Sequence, residues 1–197
     1  MSARNRRNKA GEVAARRPHE FYPTPPDALA ALEPWIPDLY RGGRVVEPAA
    51  GDGAVVAWVA QHCEPEDLVA VDIEMTHARR AALIEAGATS TIRGDWMDPE
   101  LDLRARLLIT NPPYSRAQDF IDWSLRRCEV GGAVVMLLRL GFLASLKRRQ
   151  WWGGVPLARV GVLSRRPRFV NGSSDSADYG WFMWRPRHTG PISLEIL

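Results

Sequence analysis

Short apolar runs alternate along this chain with longer stretches in which apolar residues recur every three or four positions. The runs Val45-Val46, Leu68 to Val71, Thr91-Ile92, Leu107 to Thr110, Ala133 to Leu138, Arg159 to Leu163 and Tyr179 to Trp184 read as buried strands. Between them, Val55, Val56, Val59, Ala60 and Cys63 fall on one helical side, Met75 to Ala86 reads as a helix closed by Gly87, and Ala117, Phe120, Ile121, Leu125 and Cys128 form the inner face of another. Ser115 is a candidate cap for that last helix, and Gly131-Gly132 its end. A helix is also predicted over Phe142 to Trp152. Ahead of the first strand, Leu29, Leu32 and Ile36 form a stripe entered through Pro25 and Pro26, with Thr24 as a candidate cap, and ended by Pro34 and Pro37. The alternation predicts five strand–helix units followed by two closing strands, a doubly wound α/β sheet.

In such sheets, ligands bind outside the carboxyl ends of the strands, so the residues that end each run carry the candidate chemistry. The first run ends in Glu47-Pro48-Ala49-Ala50-Gly51-Asp52-Gly53, a Gly-rich loop that lets backbone approach a nucleotide closely. Asp72 ends the second, about 20 residues further on, where an acidic side chain can hydrogen-bond ribose hydroxyls or simply cap the next helix. After the third come Asp95, a possible acceptor for an adenine amine, and Trp96, a possible cover for its ring; Gly94-Asp95 could equally be a plain turn. The fourth run leads into Asn111-Pro112-Pro113-Tyr114. Two successive prolines cannot continue a central strand, since each lacks a backbone donor and holds φ near −65°. The chain must leave the sheet there in a stiff turn. The Asn111 carboxamide and a backbone carbonyl then offer two acceptors for the two hydrogens of a planar amine, and Tyr114 a stacking face for its ring, which suits a base turned out of a duplex. The alternative is that the prolines end a strand and Asn111 caps a helix.

Length and composition narrow the class. With 197 residues, 46% hydrophobic and 25% charged, one soluble globular domain is expected. No apolar run is long enough to span a membrane, and no apolar signal region follows the basic N-terminus, so a cytoplasmic location is expected. Cys63 and Cys128, without a Cys/His cluster, speak against a disulfide framework and a metal site. The charge is unevenly placed. Residues 1–17 hold six basic side chains, among them Arg4, Arg6 and Arg7, against one Glu, so they carry +5 of a net +3 and the remainder carries −2. That composition reads as a disordered basic arm seeking nucleic acid, or as a solvated terminus. A second basic segment, Arg165, Arg166 and Arg168, opens a polar, Gly/Ser-rich loop over residues 164–178.

Taken together, Tyr22-Pro23-Thr24-Pro25, Glu47 to Gly53, Asp72, Gly94-Asp95 and Asn111-Pro112-Pro113-Tyr114 resemble S-adenosylmethionine-dependent DNA adenine-N6 methyltransferases. The order of the motifs is similar to the gamma arrangement, with cofactor motifs ahead of the catalytic one. Arg166-Pro167-Arg168-Phe169 and Tyr179-Gly180-Trp181-Phe182-Met183-Trp184 resemble segments of small phage- and prophage-encoded members. The resemblance covers about residues 20–185. It implies a Rossmann-like, mostly parallel seven-stranded sheet with an antiparallel last strand, in one catalytic domain over residues 18–197. It also implies that Thr24 contacts the methionine carboxylate, with Tyr22, Glu47, Pro48, Gly51 and Gly53 around the methionine part, Asp72 on the ribose, and Asp95 with Trp96 at the adenine. Asn111, Pro112, Pro113 and Tyr114 would hold the target amine. The reaction implied is direct methyl transfer to N6 of adenine in DNA, without a covalent enzyme intermediate or a metal. Larger gamma enzymes carry a separate target-recognition domain, for which this chain has no room, so DNA contacts would rest on the arm and on Arg165, Arg166 and Arg168.

Three alternatives stand beside that expectation. RNA adenine and a protein glutamine amide also present planar amines, and a relative could keep the fold and bind DNA without catalysis. A dinucleotide dehydrogenase fits poorly, because the Gly-rich loop lacks the GxGxxG spacing.

Overall fold

The computed structural model describes residues 23–169 and 177–197. They form a central sheet of β1 (Val45–Glu47), β2 (Leu68–Asp72), β3 (Ser90–Arg93), β4 (Ala105–Thr110), β5 (Cys128–Arg139), β6 (Leu157–Val162), β7 (Tyr179–Trp184) and β8 (Ser193–Ile196). Helices α1 (Pro26–Ala30), α2 (Ile36–Leu39), α3 (Ala54–Cys63), α4 (His77–Glu85), α5 (Ala117–Arg127) and α6 (Arg149–Trp152) accompany it. The order across the sheet is β3-β2-β1-β4-β5-β7-β6-β8. Strand β7 is antiparallel to both β5 and β6, and every other pairing is parallel.

Alternate residues of the strands enter two cores, one on each face of the sheet. On β5, Ala133, Val135 and Leu137 go to one core and Val134, Met136 and Leu138 to the other. On β7, Tyr179, Trp181 and Met183 part in the same way from Phe182 and Trp184. A strand buried on both faces reads as a continuous apolar run, which is why these two were legible. The indole nitrogen of Trp181, wholly buried, donates to the Ala28 carbonyl at 2.7 Å and so fastens α1 to the sheet.

Several local expectations are corrected. The sheet has an eighth strand, β8, beyond the seven expected. Its residues are mostly exposed at the sheet edge, so no buried run announces it. Strand β5 begins at Cys128, directly after α5, and Gly131-Gly132 lie inside it rather than ending the helix. Residues 140–152 form short 3₁₀ turns and the four-residue α6 instead of one helix. The stripe Leu29, Leu32 and Ile36 is real, but the prolines break it into α1, a 3₁₀ turn and α2. Neither Thr24 nor Ser115 caps a helix: the cap positions fall to Pro25 and Arg116, with no side-chain bond at either.

Strands β1, β2 and β3 step one way across the sheet, and β4 lies on the other side of β1. That reversal is a topological switch point, and it opens a crevice at the carboxyl ends of β1 and β4. Glu47 and Thr110 end those two strands.

Candidate active site

A cavity of about 360 Å³ lies at this crevice. Of the residues singled out in the sequence, Thr24, Pro48, Gly51, Asp72, Asp95, Trp96, Asn111 and Pro113 line it. Glu47, Gly53, Pro112 and Tyr114 are chain neighbours of lining residues without being part of the lining, and Tyr22 lies outside the described residues, as do Arg4, Arg6 and Arg7.

The Gly-rich loop turns twice through left-handed backbone, at Gly51 (φ 54°) and Gly53 (φ 90°), where any other residue would be strained. Gly53 is the cap position of α3, and a Cβ there would also crowd Leu83 at 3.2 Å. The loop is tied to the end of β2 by Asp72. One carboxylate oxygen accepts from the Gly51 amide at 2.8 Å. The other accepts from the Glu74 amide at 2.7 Å and from Arg79 Nη1 at 3.1 Å. Asp72 therefore holds the floor of the cavity in shape besides facing it.

Glu47 is 1% exposed. Its Oε1 accepts from the Ala49 amide at 3.2 Å, while Oε2 is buried without a hydrogen-bond partner, as is Thr110 Oγ1 on the neighbouring strand end. Loss of solvation pushes its carboxyl up to about 8, with Asp72 and Asp52 adding to the effect; the Ala49 amide opposes it, as does the Thr110 hydroxyl, which lies near but not in hydrogen-bonding geometry. A buried carboxyl of this kind is a partner in waiting for a cationic or donor group.

Asp95 sits at the cavity wall, where Oδ1 accepts from the Met97 amide at 3.0 Å and Oδ2 lies 3.5 Å from Arg116 Nη1. Trp96 is held from the core side of the cavity. Its side chain is 1% exposed, its indole nitrogen donates to Ser124 Oγ at 3.1 Å, and the Arg127 guanidinium stacks over it at 4.4 Å. It is anchored in the core and contributes to the cavity lining from there.

After β4 the double proline carries the chain into a 3₁₀ turn, Tyr114–Arg116. The Tyr114 hydroxyl reaches back and donates to Asn111 Oδ1 at 2.9 Å, which orients the carboxamide. The Tyr114 ring packs 5.7 Å from Tyr179 on β7, and Tyr179 in turn packs 4.9 Å from Phe169. The segment 164–169, with exposed Arg165, Arg166 and Arg168, is thereby tied through Phe169 and Tyr179 to the Asn111–Tyr114 turn. Arg166 is paired with Asp178 at 2.8 Å. The arginines Arg79, Arg116 and Arg139 were not anticipated as site residues. Arg79 and Arg116 line the cavity from close to Asp72 and Tyr114 in the chain, whereas Arg139 meets Tyr114 from the end of β5 and is outside the lining.

No protein-family model matches the sequence. The structure superposes on a Listeria monocytogenes protein assigned as a class I S-adenosylmethionine-dependent methyltransferase, with a TM-score of 0.67 and 12% identity over 91% of this chain and 66% of that one. The fold is that of the class I methyltransferases. A Pyrococcus horikoshii protein assigned as an RNA methyltransferase superposes with a TM-score of 0.66 and 16% identity, over 85% of this chain and 87% of that one. In sequence, 91 residues are 32% identical to a 4-amino-L-phenylalanine/4-methylamino-L-phenylalanine methyltransferase of Streptomyces pristinaespiralis. That match takes in 45% of this chain and 31% of the relative's length. Among the described residues no group of three or more His, Cys, Asp or Glu side chains could hold a metal ion, and no helix is long and apolar enough to cross a membrane.

Proposed function

We propose that this protein is a methyltransferase that transfers the methyl group of S-adenosylmethionine to the N6 amine of adenine in DNA. The observation that carries the reading is Asn111. It stands at the rim of the crevice with its carboxamide held by Tyr114, opposite a Gly-rich loop braced by Asp72.

The residues present fit the cofactor. Gly51 offers close backbone approach, Asp72 and Glu74 supply carboxylates for ribose hydroxyls, and the buried, partnerless Glu47 Oε2 suits an ammonium group. Thr24, buried at the cavity wall, suits the carboxylate end, and Asp95 the adenine amine. When bound, S-adenosylmethionine supplies an electrophilic methyl group.

The protein's part is to bind, to orient and to hold protons. An aryl amine is a poor nucleophile because its lone pair is delocalised into the ring. Asn111 Oδ1 and the Pro112 carbonyl accept its two hydrogens and favour a pyramidal nitrogen with an available lone pair. A carboxamide oxygen has two lone pairs, so Asn111 can accept from Tyr114 and from an amine hydrogen together. These bonds strengthen as positive charge develops on nitrogen, and placement of the two reactants supplies much of the remaining rate. After transfer the nitrogen sheds one proton to water at the open mouth.

Support for DNA comes from the motif set, from the Arg-rich first 17 residues and from Arg165, Arg166 and Arg168, tied to Tyr114 through Phe169 and Tyr179. RNA adenine is the second reading, favoured by the fold shared with the Pyrococcus protein. Mass spectrometry of nucleosides decides between them. DNA from cells expressing the protein should contain N6-methyladenine, and DNA from cells expressing Asn111→Ala should not. Methylation confined to RNA would overturn the reading.

A further inference from the structure

One cation close to the catalytic turn has no place in the reaction outlined above. Arg139 ends β5, and the seven residues before it are buried while it is exposed. In the sequence it merely interrupts an apolar run. In the structure it stands on the catalytic tyrosine. Its Nε donates to the Tyr179 hydroxyl at 3.0 Å, its β-sheet partner across β7, and its guanidinium carbon lies 5.3 Å from the centre of the Tyr114 ring and 5.9 Å from that of Tyr179. Tyr179 is 1% exposed, so the tether is rigid. Asn111 is at the hydroxyl end of Tyr114 and Arg139 is over its ring. One tyrosine therefore separates the group that takes the amine from a fixed, exposed positive charge.

Resting on the proposed DNA reading, the geometry points to Arg139 as the residue that binds the phosphodiester flanking the flipped adenine. A base whose amine is at Asn111 must leave the pocket through its sugar and phosphate, and Tyr114, bonded to Asn111 and lying under Arg139, flanks that position. Arginine suits a phosphate there: it stays charged at all working pH values, and its planar fork matches two phosphate oxygens. Stacking on a tyrosine ring limits its rotamers, so little further ordering is needed when the phosphate arrives. The contact fixes where the extruded nucleotide stands. It is a substrate-binding role, apart from the cofactor cavity, whose lining does not include Arg139.

The test uses the full chain and two variants. Arg139→Gln keeps a donor for Tyr179 but removes the charge, whereas Arg139→Lys keeps the charge and gives up the planar fork. Methylation of duplex DNA, affinity for that DNA at several salt concentrations, and affinity for S-adenosylmethionine are measured for all three. Arg139→Gln should raise KM for DNA about ten-fold or more, with cofactor affinity unchanged. It should also flatten the slope of log affinity against log salt by about 0.9, the contribution of one duplex phosphate. Arg139→Lys should restore the slope and only part of KM. If Arg139→Gln keeps the parent's KM and slope while the parent methylates DNA, the phosphate role is wrong and the DNA reading stands. If Arg139→Lys loses as much slope as Arg139→Gln, the residue acts through Tyr179 and not through phosphate, which also overturns the inference. A parent that methylates no DNA sinks both.

Discussion

The two sides of the crevice are built on opposite plans. On the β1–β2 side, Asp72 is 8% exposed and accepts from two backbone amides and an arginine, and Glu47 is wholly enclosed. On the β4–β5–β7 side, the polar groups are partly open: the Tyr114 hydroxyl holds Asn111, and Arg139 lies over the Tyr114 ring. The first side is suited to a small ligand of constant shape, which rewards a preformed, water-poor cradle. On the second side the groups are held in position but left partly accessible, as the proposed polymeric substrate would require. Tyr114 on this side is steadied by packing against Tyr179 of β7, which is itself buried.

If that division of labour is right, damage on the two sides should separate cleanly. The largest effect is expected on the open side. Asn111→Ala removes one of the two acceptors for the amine and should lower turnover by roughly two or more decades, the scale seen for lost transition-state hydrogen bonds. Cofactor affinity should persist. Methylation at the parent rate would break the comparison at its centre.

Next in size is Asp72→Ala. Loss of a charge-assisted acceptor suggests roughly 2–3 kcal/mol of cofactor affinity by calorimetry. The structure adds a second consequence: the Gly51 amide loses its partner, so the loop should loosen and amide exchange at Gly51 should speed up. Unchanged affinity in the folded variant would remove Asp72 from the cofactor side.

Glu47 sharpens the comparison through pH. Its carboxyl is raised from 4.5 to about 8 by burial. Below pH 4.5 both folded and unfolded chains hold the proton. Between 4.5 and 8 only the folded chain does, so this residue's contribution falls as pH rises and levels off above about 8. Glu47→Gln should remove that decline, a gain on the order of a few kcal/mol at pH 8 relative to the parent. Urea denaturation of both proteins across this range measures it. Parallel curves would mean that Glu47 is ionised in the folded protein.

Smaller effects are expected from Tyr114→Phe and from the arm. Phenylalanine keeps the stacking face but frees the Asn111 carboxamide, so turnover should fall by several-fold, between the parent and Tyr114→Ala. A steady-state assay returning the parent value would show that the hydroxyl does not orient Asn111. Deleting residues 1–17, which carry +5, should weaken DNA binding at low salt and flatten its salt dependence by up to about five units of slope, with cofactor affinity unchanged. Parallel salt plots of equal height would leave all DNA contacts to the folded domain.

Much of this was written in the sequence, because the apolar runs and the motifs that end them are local. A run buried on both faces identifies a strand wherever it falls, and prolines or glycines at its end mark the turn that carries the chemistry. That was enough to assign seven strands in order and to choose Gly51, Asp72, Asp95 and Asn111, which the fold brings to one cavity. What only the tertiary structure decided depends on residues far apart in the chain. Strand β8 forms because β6 offers an open edge, and no buried run announces it. Trp96 is a core residue because Ser124 and Arg127 meet it from α5. Arg139 meets Tyr114 and Tyr179 because β7 inserts between β5 and β6 and puts Tyr179 beside it. Periodicity reports which side of its own element a residue lies on. Which residues meet across elements is set by strand order and register, and that is a property of the whole packed chain.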